Sequence, residues 1–147
     1  MADPQPIDDL GEYIAAELAS SVTETDVRLG ELMIDVKADD ICKVLQFLRD
    51  DVNCQFKILM DICGVDFPER ENRFDVVYNL LSLTHNTRVR VKLQTNETTP
   101  VPSVTPLFSC AGWWEREAWD LYGIFFAGNP DLRRILTDYG FDGHPLR

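Results

Sequence analysis

No apolar run in this 147-residue chain approaches the roughly 20 residues that a helix needs to cross a bilayer. If the protein works at a membrane, something else must hold it there. Basic charge is also scarce: 14 Lys and Arg stand against 25 Asp and Glu, a net charge of −11. That balance argues against general nucleic-acid binding, which wants a basic face to meet phosphates, and against adhesion to anionic lipid. The four cysteines, Cys42, Cys54, Cys63 and Cys110, form no C-x-x-C and no iron–sulfur spacing. Cys42 falls in a helical pattern and Cys63 in an apolar strand, where buried, inert thiols are expected. The two histidines, His85 and His144, are isolated, without the paired spacing of a zinc site. The glycines make neither G-x-G-x-x-G nor a P-loop, and no serine occupies a G-x-S-x-G elbow. The N-terminal MADPQPIDDLGEY has neither a basic signal n-region nor the Arg/Ser richness of a transit peptide. The expectation is a soluble chain made in the compartment where it works, in a bacterium or encoded by an organelle.

What is present is a regular alternation of patterns. Ile7, Leu10, Ile14 and Leu18 recur at helical spacing, with Asp8 and Asp9 in the first turn, where the helix dipole favours carboxylates. Val27 to Val36 reads as two strands hinged at Gly30, with Leu32, Ile34 and Val36 facing inward. Asp39 or Asp40 is positioned to cap a second helix, whose Ile41, Val44, Leu45 and Leu48 form one stripe. Three strands follow. Phe56 to Val65 is apolar on both faces, which predicts a central position. Arg73 to Leu83 comes after the polar turn PERENR, and Arg88 to Leu93 alternates Val89, Val91 and Leu93 with Arg88, Arg90 and Lys92. Short polar turns between these three favour an antiparallel meander with helices packed on one face. The expected class is α+β, with a mixed or mainly antiparallel sheet. Residues 1–95 form the body. Residues 96–147 form a connector, where Pro100, Pro102 and Pro106 predict extended chain rather than a strand, and then an interaction arm with one short aromatic helix.

The most unusual stretch is Glu115 to Arg147, EREAWDLYGIFFAGNPDLRRILTDYGFDGHPLR. At about 100° per residue, Trp114, Ala118, Leu121 and Tyr122 share one arc of its helix, and Arg116, Glu117 and Asp120 the opposite one. Arg116 and Asp120 are four apart and can pair, and Gly123 supplies a C-terminal stop. Glu115 falls between Trp119 and Tyr122, so its carboxylate needs a cation or several N–H donors, with Arg133, Arg134 or a partner's arginine as candidates. Glu115 and Glu117 project about 200° apart, so they do not flank one bond as paired catalytic carboxylates must. His144, between Gly143 and Pro145, reads as a polar turn residue or as a proton donor. An amphipathic helix with a solvated face accounts for the pattern equally well.

This same stretch resembles, almost without interruption, the signature of the thirty-kilodalton subunit family of respiratory complex I, the proton-pumping NADH:quinone oxidoreductase. Weaker similarity reaches upstream through RFDVVYNLLSL (Arg73 to Leu83) and PVPSVTPLF (Pro100 to Phe108). Two departures stand out. Members usually carry His where this chain has Asn129, which at that place reads as a turn residue bonding backbone N–H groups. Most also continue past HPLR with a further segment. The resemblance implies a cofactor-free subunit of the peripheral arm, with the iron–sulfur clusters, FMN and quinone held by partner subunits. It implies packing on the quinone-site large subunit beside the iron–sulfur subunits, peripheral on the cytoplasmic face of a bacterial inner membrane or the matrix face. It also implies partner docking through Glu115, Arg116, Glu117, Trp119, Asp120, Tyr122, Arg133, Arg134, His144, Pro145 and Arg147, since aromatic residues and arginine dominate interface anchors. The equivalent subunit of a related membrane-bound hydrogenase, and an unrelated small acidic hydrolase using Glu115 and His144, are the alternatives.

Overall fold

The 3.6-residue spacing of the first segment gives helix α1 (Ile7–Glu17), which buries Leu10, Gly11 and Ile14. The computed structural model describes residues 7–130. Strands β1 (Val22–Arg28) and β2 (Glu31–Val36) form a hairpin. Its two-residue turn places both Leu29 and Gly30 at positive φ, 52° and 79°. That is the geometry that matches the twist of paired strands, and it suits Gly30 far better than Leu29. Helix α2 (Ile41–Asp50) then buries Ile41, Val44, Leu45 and Leu48, the stripe read from the sequence. Its start differs from expectation, because neither acidic side chain caps it. Asp39 and Asp40 lie in a 3-10 turn, Ala38–Asp40, and Asp40 makes no side-chain hydrogen bond at the helix N-cap. The preceding turn already sets the chain direction into the helix, so the cap is not required.

Strands β3 (Ile58–Asp66), β4 (Phe74–Ser82) and β5 (Thr87–Thr95) make the expected antiparallel meander. The sheet order is β1-β2-β5-β4-β3, with β2 and β5 parallel. The expectation that the Phe56–Val65 segment is central is therefore corrected: β3 is an edge strand. The apolar residues on its second face are not covered, with Ile58, Met60 and Val65 exposed to 37–39%. The physical cause is the crossover. A helix linking β2 to a parallel strand must pass over the sheet, and here it sets β3 down far enough away for β4 and β5 to fit between. The centre thus goes to β5, the strand with Arg90 and Lys92 on one face.

Cross-strand pairing sorts the side chains onto two faces. Leu32–Val89–Leu80–Leu59 and Ile34–Val91–Tyr78–Ile62 form apolar rows on the inner face and are all buried. The outer face carries Met33, Asp35, Arg90, Lys92, Asn79 and Asp61, half-buried and linked by side-chain bonds such as Asn79 to Asp61 at 2.6 Å. After β5 the side chain of Asn96 accepts the backbone N–H groups of Thr98 and Thr99, at 3.0 and 2.8 Å, and turns the chain. The proline-rich connector is not merely extended. Val101–Pro102 forms a two-residue strand, β6, parallel to β7 (Phe126–Ala127). Two residues carry no readable periodicity, which is why the pattern missed it.

Between β6 and β7 runs α3 (Ala111–Tyr122), ended by Gly123 at φ 80°, whose N–H donates to Trp119 O at 2.7 Å. The helix lies against β3. A Cβ built on Gly64 would sit 2.7 Å from the Tyr122 ring and 3.3 Å from Ile124. Only a bare Cα lets the last turn of α3 come down on the strand. Gly64→Ala should therefore lower unfolding stability by about 1–3 kcal/mol, the usual cost of overpacking. Gly11→Ala, where the nearest atom is a flexible Leu32 methyl at 3.0 Å, should change stability by less than about 1 kcal/mol, because helix propensity offsets the crowding. Urea denaturation of both variants checks the contrast.

Candidate functional site

Helix α3 turns its Glu115 side chain into the protein. Its exposure is 0%. One carboxylate oxygen, Oε1, accepts Ser103 Oγ–H at 2.7 Å and Asn129 Nδ2–H at 2.8 Å, and Oε2 accepts the Val104 backbone N–H at 2.8 Å. Ser103 and Val104 follow β6, and Asn129 follows β7. One side chain thus joins the connector, the aromatic helix and the start of the arm. Among the described residues its partners are neutral donors. The cation expected from Arg133 or Arg134 falls on residues outside the described range. The nearest helix contributes as well, since Cys42 Sγ–H of α2 points to Ser103 O at 3.3 Å.

Burial raises the Glu115 pKa above the ordinary glutamate value, and the three hydrogen bonds from Ser103, Val104 and Asn129 pull it back only in part. The same pocket of low dielectric pushes Tyr78 well above the usual phenol range, with the Glu115 charge adding to burial. The Tyr78 hydroxyl is buried on the inner face of β4 without a hydrogen-bond partner among the described residues. Burial likewise raises the Cys42 thiol, again with Glu115 adding to it.

The remaining site residues separate by position. Asp120, placed by helical angle on the solvated arc with Arg116 and Glu117, is fully buried. Arg116, Glu117, Trp119 and Tyr122 are half-buried, and the Arg116 guanidinium sits 5.8 Å from the centre of the exposed Trp113 ring. Arg133, Arg134, His144, Pro145 and Arg147 lie outside the described residues. The turn reading of Asn129 has its side chain bonding backbone N–H groups. The Asn129 backbone N–H closes a turn on Phe126 O at 3.3 Å, and its side-chain amide donates from Nδ2 to the Glu115 carboxylate. Ser103 and Val104 escape the sequence pattern entirely, because a serine among prolines carries no signal until the helix packs on it. Cys63, expected to be buried, is exposed on the edge strand, whereas Cys54 is fully buried. Among the described residues no three His, Cys, Asp or Glu side chains are grouped to hold a metal ion.

The family model for the respiratory-chain NADH dehydrogenase, 30 Kd subunit, matches residues 34–147. The chain belongs to this family. An NADH-quinone oxidoreductase subunit of Paramagnetospirillum magneticum is 63% identical over 144 residues, 97% of this chain and 72% of that protein. The same subunit in Methylorubrum populi is 59% identical over 138 residues, 94% of this chain and 63% of its own. The chain thus spans about two thirds of the length of the curated relatives it matches. Among solved structures, a chain of the membrane-bound sulfane sulfur reductase, an archaeal respiratory membrane complex, superposes with a TM-score of 0.75 at 26% identity, covering 89% of this chain and 77% of that one. The matched region of the thirty-kilodalton subunit family starts within β2 and runs past β7, and it takes in Glu115 with Ser103, Val104 and Asn129.

Two expected outcomes follow from the buried carboxylate. Glu115→Ala removes the acceptor shared by Ser103, Val104 and Asn129 and should cost at least about 3 kcal/mol in urea unfolding, at about 1 kcal/mol or more for each hydrogen bond lost. Glu115→Gln keeps an acceptor for Val104 N–H and cannot ionise. Because the folded pKa is raised, the contribution of Glu115 to stability is fully present below the unfolded value of 4.5 and is lost as pH rises through the folded value. The stability gap between the native chain and Glu115→Gln should therefore narrow with rising pH across that window. A constant gap would show that Glu115 does not titrate as described. Separately, Cys54, pushed up to about 12 by burial, should resist maleimide at neutral pH while exposed Cys63 and Cys110 react, as peptide mass spectrometry will show.

Proposed function

We propose that this chain is a non-catalytic docking subunit of NADH:quinone oxidoreductase, placed on the quinone-site large subunit beside the iron–sulfur subunits. The observation that carries this reading is the Glu115 clasp. It lies within the stretch that matches the family, and its carboxylate is spent on three hydrogen bonds that fix α3 and the adjoining segments, not on a substrate. The half-buried Arg116, Glu117, Trp119 and Tyr122 then sit on a helix that is held rigid, as interface anchors must be. On this reading the iron–sulfur clusters, FMN and quinone belong to partner subunits. The chain sits peripherally on the cytoplasmic face of a bacterial membrane, or the matrix face. Among the described residues no helix is long and apolar enough to cross a membrane. A second reading is the equivalent subunit of another membrane-bound respiratory complex, favoured by the likeness to the sulfane sulfur reductase chain.

Affinity purification of the tagged chain from its own cells separates the two. NADH-oxidising and quinone-site subunits accompanying it support the first, and a sulfur reductase or a nickel hydrogenase the second. The isolated chain should oxidise no NADH. Glu115→Ala should reduce the amount of assembled complex several-fold, because a stability loss of this size empties the folded pool. Full assembly and activity in that variant would refute the clasp's role.

A further inference from the structure

Along the free edge of β3 runs a groove of about 220 Å³, lined by Asp61, Ile62, Cys63 and Gly64 on one side and by Trp114, Glu117, Ala118, Leu121 and Tyr122 on the other. Alternate residues of a strand point to opposite faces of its sheet. Four consecutive residues therefore line one groove only if the groove meets the strand edge-on, backbone first. The opposite wall follows the i, i+3, i+4, i+7, i+8 spacing of a single helix stripe. The two walls agree in length. Asp61 to Val65 spans about 13 Å at strand rise, and Trp114 to Tyr122 about 12 Å at helix rise. Among the described residues no strand pairs with this edge of β3. Its upper end is closed where Cys110 Sγ–H reaches Leu59 O at 3.7 Å, next to the register shift between Leu59 and Asp61. The open part of the edge is thus Asp61 to Val65.

We propose that this groove receives an extended segment of a partner polypeptide, which adds a sixth strand to the sheet beside β3. The segment would place apolar side chains against Leu121 and Trp114, and Lys or Arg against Asp61 and Glu117. Strand addition is a recurring way of binding extended peptides, in which the edge supplies main-chain hydrogen bonds and an adjoining pocket selects side chains. The charge of the occupant follows from the lining, whose two charged groups are both carboxylates. Two copies of this chain joined edge to edge would bring those carboxylates together, which disfavours a homodimer. The exposed Met60 and Val65 at the ends of the open edge, at 39% each, become covered in the complex. An unpaired edge with apolar neighbours is otherwise an aggregation hazard.

This proposal rests on the docking reading above and is tested on the purified complex and the isolated chain together. The rate of maleimide labelling at Cys63 is measured in both, with a photo-crosslinking amino acid installed at position 63 in a parallel preparation. Labelling should be at least tenfold slower in the complex, and the cross-link should fall on a partner segment that alternates apolar residues with Lys or Arg. Glu117→Lys should lower co-purification several-fold with unchanged thermal stability, and Glu117→Gln less so. Co-purification with equal labelling rates overturns this proposal and leaves the docking reading standing. A cross-link to a second copy, a helix or an acidic segment also overturns it. Failure to co-purify with any partner overturns both.

Discussion

A carboxylate with no access to water has to be satisfied by the protein, and at Glu115 that need organises the C-terminal third of the described chain. Two acceptor oxygens draw in a serine hydroxyl, a backbone N–H and an amide from segments on either side of α3. Each bond to an ionised acceptor is stronger than a neutral one, yet burial still holds the pKa above its ordinary value. The clasp also explains why so short a parallel pair as β6 and β7 exists. Two residues per strand could not hold themselves, but Val101 N–H to Phe125 O at 2.9 Å and Ser103 N–H to Ala127 O at 2.8 Å flank the carboxylate and share its ordering.

The sheet beneath provides the platform. Its inner face is largely apolar and takes the helices, and its outer face is largely polar. Among the described residues no strand pairs with the outer edge of β3, beside α3. Gly64 lets Tyr122 approach the strand from within, and the same closeness shapes the groove outside. The clasp holds the helix, the helix makes the groove wall, and in the docking mode proposed above the groove presents backbone to a partner.

Much of this was legible in the residues. Local patterns determined the α+β class, the α2 stripe, the β1–β2 hinge at Gly30, the meander and the Gly123 stop, because each depends on periodicity or backbone freedom within a few positions. The family was legible for a different reason, since its signature is one contiguous stretch of chain. The need of Glu115 for partners was also readable, as a general cost of burying charge.

Only the tertiary structure decided which partners answered that need. Ser103 and Asn129 lie 12 and 14 positions away in opposite directions, and no local rule links a serine among prolines to a glutamate on a helix. The same limit misplaced β3. Its composition is that of a buried strand, but strand order depends on where the α2 crossover lands, a choice made by the whole sheet. Helical angle alone puts Asp120 on the outside, and the structure turns it inward because α3 is packed on more than one side. Sequence sets what each residue requires of its surroundings, and folding chooses which distant groups supply it.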